Sequence, residues 1–160
     1  MTIQVGDKIP ACSTLRVMGD KGPQPITTDD LFAGKKVVLF AVPGAFTPGC
    51  SNTHLPGFVV NADKIKAKGV ASIVCVSVND AFVMGAWGKA QNAEHLIMLA
   101  DGSAELAKAT GMELDLTDKG MGVRWKRLAM IVDNGVVKNL AIEPPGGIVE
   151  SSAEAILKLL

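Results

Sequence analysis

Chemistry in this chain is concentrated in one stretch, Pro43-Gly44-Ala45-Phe46-Thr47-Pro48-Gly49-Cys50. It follows an apolar, β-branched run, Lys36 to Val42, and leads into a segment where apolar and charged residues mix. That context predicts Cys50 in the first turn of a helix. There the unpartnered N–H groups and the positive end of the helix dipole favour an anion, so the sulfur is expected to carry a thiolate, the nucleophilic form of cysteine. Two prolines and two glycines predict a rigid loop around it, and the Thr47 hydroxyl can both donate and accept hydrogen bonds. Such a pocket could hold a small polar oxidant. The competing reading is a cysteine buried as a small hydrophobe.

The elements that must position this loop follow from hydrophobic periodicity. Lys36 to Val42 and Val70 to Val78 read as central strands buried on both faces. Between them Phe58, Val59, Ala62, Ile65 and Ala67 alternate with polar residues, so a helix makes the crossover of a βαβ unit. Asp80 to Gln91 and Ser103 to Thr110 read as helices, the second stopped by Gly111, with a strand from His95 to Ala100 between them. Leu128 to Val132 and Val136 to Ile142 flank Asn134-Gly135, a hairpin signal. Ser151 and Glu154 resemble a capping box opening a last helix to Leu160. The prediction is α/β: a single domain over residues 1–160, with a central mixed β-sheet flanked by helices.

Composition narrows the function classes. The chain has 160 residues, 48% of them hydrophobic, enough for a real core. Lysine plus arginine and aspartate plus glutamate number 16 each, so no global field draws the chain to nucleic acid or an anionic membrane. The first residues lack the apolar core of a secretory signal and the character of a transit peptide, and no apolar run approaches the ~20 residues of a membrane span. A cytoplasmic location is therefore expected. Three cysteines without Cys-x-x-Cys argue against a disulfide framework, and two histidines in no cluster leave a metal site without ligands.

The octapeptide carries the pattern Pro-x-x-x-Thr-x-x-Cys. With Thr53-His54-Leu55-Pro56-Gly57-Phe58 after it, it resembles the peroxiredoxins, in particular their peroxiredoxin 5 or type II subfamily. The resemblance continues through Ser77-Val78-Asn79-Asp80-Ala81-Phe82, Ala86-Trp87-Gly88 and Arg127-Leu128-Ala129-Met130, and so spans nearly the whole chain. It implies a thioredoxin-like fold and a thiol-dependent peroxidase with no cofactor. Carried over by position, Cys50 corresponds to the peroxidatic cysteine, Thr47 to the hydroxyl that positions the peroxide, and Pro43 to the residue that shields the thiolate from water. Arg127 corresponds to the family's distant arginine, with Arg124 as the alternative. The resemblance also implies a peroxide substrate and a reductant that is glutathione with glutaredoxin, or thioredoxin. It further implies a homodimer paired through loops near the active site, where Phe46, Phe82 and Trp87 supply apolar surface.

The second thiol of the cycle is left open. Cys75 resembles in position the second cysteine of plant and bacterial members, yet it falls inside a predicted central strand. A disulfide needs Cα atoms about 5.5 to 6 Å apart, so bridging there implies local unfolding. The late loop, Glu143 to Ser152, has no cysteine where the animal pattern puts one. Cys12 has no recognised counterpart and reads as structural. His54, one helical turn past Cys50, could be a base or a hydrogen-bonding part of the pocket wall. His95 reads as surface, Lys64 to Lys68 as a solvated helix face, and Trp87 and Trp125 as packing residues. Two other functions share this fold: a thiol-disulfide oxidoreductase, for which position 47 should be cysteine rather than Thr47, and a binding protein without activity.

Overall fold

The structure is a computed structural model that describes residues 2–160. A short hairpin comes first, β1 (Arg16–Gly19) and β2 (Gly22–Pro25), followed by α1 (Thr28–Phe32). Thr27 and Asp30 cap α1 reciprocally, each side chain accepting from the other's backbone N–H. Next come β3 (Lys36–Ala41), the Cys50 segment, α2 (Leu55–Lys66), β4 (Ser72–Ser77), α3 (Ala81–Ala90), β5 (Ile97–Ala100) and α4 (Glu105–Ala109). A small ribbon, β6 (Glu113–Leu116) with β7 (Gly122–Trp125), precedes β8 (Leu128–Asp133), β9 (Val136–Ile142) and α5 (Ala153–Leu159).

Seven strands form one mixed sheet in the order β2-β1-β5-β4-β3-β8-β9. β3, β4 and β5 are mutually parallel, and the remaining pairs are antiparallel. The sheet separates two cores because side chains alternate along each central strand. On β3, Val38 and Phe40 face a core shared with α2, α3 and α5, while Val37, Leu39 and Ala41 face one shared with α1 and α4. Helices thus cover both faces, as the apolar runs predict. Asn134 and Gly135 both have positive φ, 50° and 80°, the geometry that a two-residue turn between twisted strands requires.

Two local expectations are corrected. The last helix is capped by Ser152, whose hydroxyl accepts from the Ala155 N–H at 3.2 Å; Ser151 is buried and engaged elsewhere. The segment from Cys50 to His54 is one π-helical turn, in which the Leu55 N–H reaches the Cys50 carbonyl. Proline at position 56 explains the widened register, since it has no N–H to donate and its ring would press on the carbonyl four residues back in a regular helix.

Candidate active site

Cys50 is fully buried where the π turn begins, and Arg127, at the start of β8, points across to it. The Arg127 Nη2 donates to the Cys50 Sγ at 3.2 Å. Its Nη1 lies 2.9 Å from the His54 Nδ1. A guanidinium has no acceptor, so this Nδ1 must accept, and the ring proton resides on Nε2, which donates to the Ser151 carbonyl at 2.8 Å. Burial, helped by the adjacent Arg127 charge and opposed by the Ser151 carbonyl and Glu143, pulls the His54 pKa down from 6.5 to about 4. Near neutral pH His54 is therefore uncharged, with its free lone pair already used by Arg127. It is a hydrogen-bonding part of the pocket wall and not a base toward Cys50.

Two arginines three positions apart, one in β7 and one in the link to β8, take different duties. Arg127 meets the sulfur; Arg124 donates to the Pro43 carbonyl at 3.2 Å and to the Met121 carbonyl at 2.8 Å. Glycines make room for both. A methyl group added at Gly49 would lie 3.2 Å from the Arg127 Nη2, and one at Gly44 only 2.9 Å from the Arg124 Nη1. The loop itself is bolted to the end of β4, where the Asn79 side-chain oxygen accepts from the Ala45 N–H at 2.9 Å and from the Ser77 hydroxyl at 2.6 Å. Phe46 occupies the left-handed region at φ 63°, a strained conformation that this anchoring must sustain.

The Thr47 hydroxyl donates to the Gly44 carbonyl at 2.6 Å. Its proton is thus committed, and toward an incoming O–H group it acts as an acceptor. Pro43, Gly49 and Arg127 line a cavity of about 570 Å³ whose other walls include Leu114, Ile142 and Ile148. Apolar walls that include the Arg127 guanidinium suit a small polar group that is followed by something greasy.

Cys75 shares the core that contains Cys50 but sits mid-strand on β4, fully buried and register-paired with Phe40 on β3. Burial drives its thiol well above the ordinary range. Cys12 is buried against the other core, and burial followed by the charges of Glu105 and Asp101 raises its thiol to about 11. All three cysteines are free thiols. His95 is exposed in the turn before β5, and its carbonyl accepts from Lys66. Trp87 is fully buried in α3, donating to the Ser51 hydroxyl at 2.9 Å, so it packs behind the π turn and supplies no loop surface. Phe46, in the loop, is 56% exposed, and Phe82, in the first turn of α3, is 66% exposed.

Sequence reasoning gave no site role to Glu143, to Ser151, which it read as a helix cap, or to Asn79. Nothing in a one-dimensional pattern joins Ser151 to His54 or Asn79 to Ala45. The single available hint was the run of serines before α5, where one residue more than capping needs is polar.

The chain matches the family model described as Redoxin over residues 4–157. It is 51% identical over 165 residues to Peroxiredoxin-2E-2, chloroplastic, of Oryza sativa subsp. japonica, covering 99% of this chain and 73% of that protein. To Peroxiredoxin-2D of Arabidopsis thaliana it is 47% identical over 159 residues, covering 99% and 98%. The crystal structure of reduced Prx3 in complex with hydrogen peroxide, from Vibrio vulnificus, matches with a TM-score of 0.94 at 54% identity and 99% coverage of both chains. A thioredoxin-like fold with a cysteine facing an arginine defines a thiol-dependent peroxidase, and the chain belongs to the peroxiredoxin family.

Proposed function

We propose that Cys50 is the thiol that attacks peroxide, with Arg127, Thr47 and Pro43 shaping its pocket. The observation that carries this is the Arg127 Nη2 at 3.2 Å from the Cys50 Sγ, Arg127 itself being on the wall of the cavity. Arg127 favours the thiolate and donates to the peroxide oxygens; Thr47, its own proton committed to Gly44, accepts from the peroxide O–H. The sulfur lone pair attacks the near oxygen in line with the O–O bond. That bond breaks, the leaving oxygen takes its electron pair and a proton and departs as water or an alcohol, and Cys50 becomes a sulfenic acid. A thiol then condenses with the sulfenic acid to release water and form a disulfide, and a further thiol reduces the disulfide. Pro43 on the cavity wall limits the water around the thiolate.

An external thiol, glutathione with glutaredoxin or thioredoxin, closes the cycle in this reading, and Cys75 is not obligatory. Its support is the strand position of Cys75, whose opening would cost free energy on every turnover. The protein acts in the cytoplasm as a homodimer that covers Phe46, in the Cys50 loop, and Phe82, on α3, two exposed rings. One equivalent of hydrogen peroxide should add one oxygen, or one disulfide, at Cys50 by peptide mass spectrometry. Oxygen appearing first at Cys75 or Cys12 would overturn the assignment. Cys75→Ala should turn over with glutathione; its failure with every reductant would make Cys75 the resolving thiol. Sedimentation of a Phe82→Glu variant as the same species as the parent would remove the role given to that ring.

A further inference from the structure

Glu143 is buried at the end of β9, and it touches the site at both ends of its own chemistry. Its backbone N–H donates to the Arg127 carbonyl at 2.9 Å. Its carboxylate accepts from the Glu150 N–H at 3.0 Å, the Ser151 N–H at 2.8 Å and the Ser151 hydroxyl at 2.5 Å. Burial works against the charge, but the Ser151 and Glu150 hydrogen bonds outweigh it and bring the pKa down to about 2. The loop from Pro144 to Val149 is thus closed by a carboxylate that is ionised under any ordinary condition, and Pro144 to Ile148 wall the same cavity as Gly49 and Arg127.

The contacts form a closed circuit. From the Arg127 carbonyl it runs through Glu143 to Ser151, from the Ser151 carbonyl to the His54 ring, and from that ring back to the Arg127 guanidinium, whose other arm lies on Cys50. Neutral histidine has two tautomers, and only one works here. With the proton on Nδ1, N–H would face N–H across the contact to Arg127, whereas with the proton on Nε2 the lone pair faces the guanidinium. The Ser151 carbonyl favours the second form together with Arg127, because a buried Nε2–H without an acceptor is costly. We propose that Glu143 is a positioning residue for the peroxide reaction: by clamping Ser151 it sets the tautomer of His54, and through His54 the aim of Arg127 at Cys50. This rests on the reading of Cys50 as the attacking thiol.

A double-mutant cycle with Glu143→Gln and His54→Phe tests it, read by the single-turnover rate of peroxide consumption and by the nitrogen-15 shifts of the His54 ring. Glu143→Gln should slow peroxide consumption about ten-fold and draw the two ring-nitrogen shifts toward each other, while in the His54→Phe background it should add less than about two-fold. An equal loss in both backgrounds, or an unchanged tautomer in Glu143→Gln at the parent rate, overturns the proposal. If Glu143→Gln does not fold, Ser151→Ala, which keeps the backbone contact and removes the hydroxyl, carries the same cycle with an expected loss of about two- to three-fold. Cys50→Ser run alongside separates the two layers: peroxide consumption surviving there defeats the Cys50 assignment, not the role of Glu143.

Discussion

Cys50 and Cys75 are both fully buried in the same core, yet their surroundings differ in nearly every other respect. Cys50 opens a helical turn, receives a hydrogen bond from Arg127, and borders a cavity through its neighbour Gly49. Cys75 lies in the middle of β4 between Val74 and Val76, with β3 and β5 on either side, and burial holds it as a thiol. Burial alone therefore sets no chemical role. What distinguishes the two sulfurs is their company: a fixed guanidinium donor at Cys50, and apolar strand neighbours at Cys75.

The most direct way to break this comparison is to exchange the outcomes. Cys50→Ser is expected to abolish peroxide consumption, whereas Cys75→Ala keeps the first turnover at the parent rate in stopped-flow assay. Taking the donor away should make Cys50 resemble Cys75. Arg127→Ala is expected to slow single-turnover peroxide reduction by about 10²- to 10³-fold, the range seen when a fixed donor to developing charge is removed. Arg124→Ala, which frees the Pro43 and Met121 carbonyls and removes no donor from the sulfur, should cost clearly less.

The pocket of Cys50 also depends on an uncharged histidine, and this gives a pH signature. His54 is held at about 4 in the fold against an ordinary 6.5, so between those values the unfolded chain takes up the proton first. Its contribution to stability is fully present above pH 6.5 and is lost as pH falls toward 4, by up to about 3 kcal/mol. Urea unfolding at stepped pH should show that slope, and His54→Asn should flatten it. The smallest effect sharpens the apolar side of the comparison. Cys75→Ser places a hydroxyl in a strand core and should destabilise by about 1–3 kcal/mol in urea, more than Cys75→Ala does.

Much of the sheet was legible because β3, β4 and β8 are buried on both faces and so are apolar without interruption, and because Asn134-Gly135 admits few backbones other than a tight turn. The β1–β2 hairpin was not. Pro23 and Pro25 in β2 argue against a strand by local rule and are tolerated only because β2 is an edge. The short β6–β7 ribbon carries no alternation strong enough to read. In the site, Cys50 and its loop were visible as a contiguous motif, and Arg127 through the strand that follows it. The following Leu128-Ala129-Met130 run already favoured Arg127 over Arg124, and the contacts agree, Arg127 meeting the sulfur and Arg124 the Pro43 carbonyl. Glu143, Ser151 and the tautomer of His54 depend on contacts between residues 97 or 8 positions apart, and no periodicity encodes those. The π turn was hidden for a different reason: its sequence has ordinary helical character, and only the position of Pro56 relative to the buried Cys50 forces the extra residue into the turn.

That turn also has a consequence in time. α2 is a regular helix packed on β4 and α5, but the residues from Cys50 to His54 are joined to it through a widened ring, next to a proline that contributes no amide. Opening the turn breaks few backbone bonds and leaves the sheet intact, so it belongs to the class of local fluctuations with a free energy well below that of global unfolding. The amides of Ser51 to Leu55 should then exchange with deuterium earlier than those of Phe58 to Ile65 on the same helix. In the proposed cycle, a sulfur that is fully buried at rest would be reached by a large reductant only at the frequency of that opening, giving the second half of the cycle a clock of its own, separate from the speed with which peroxide enters.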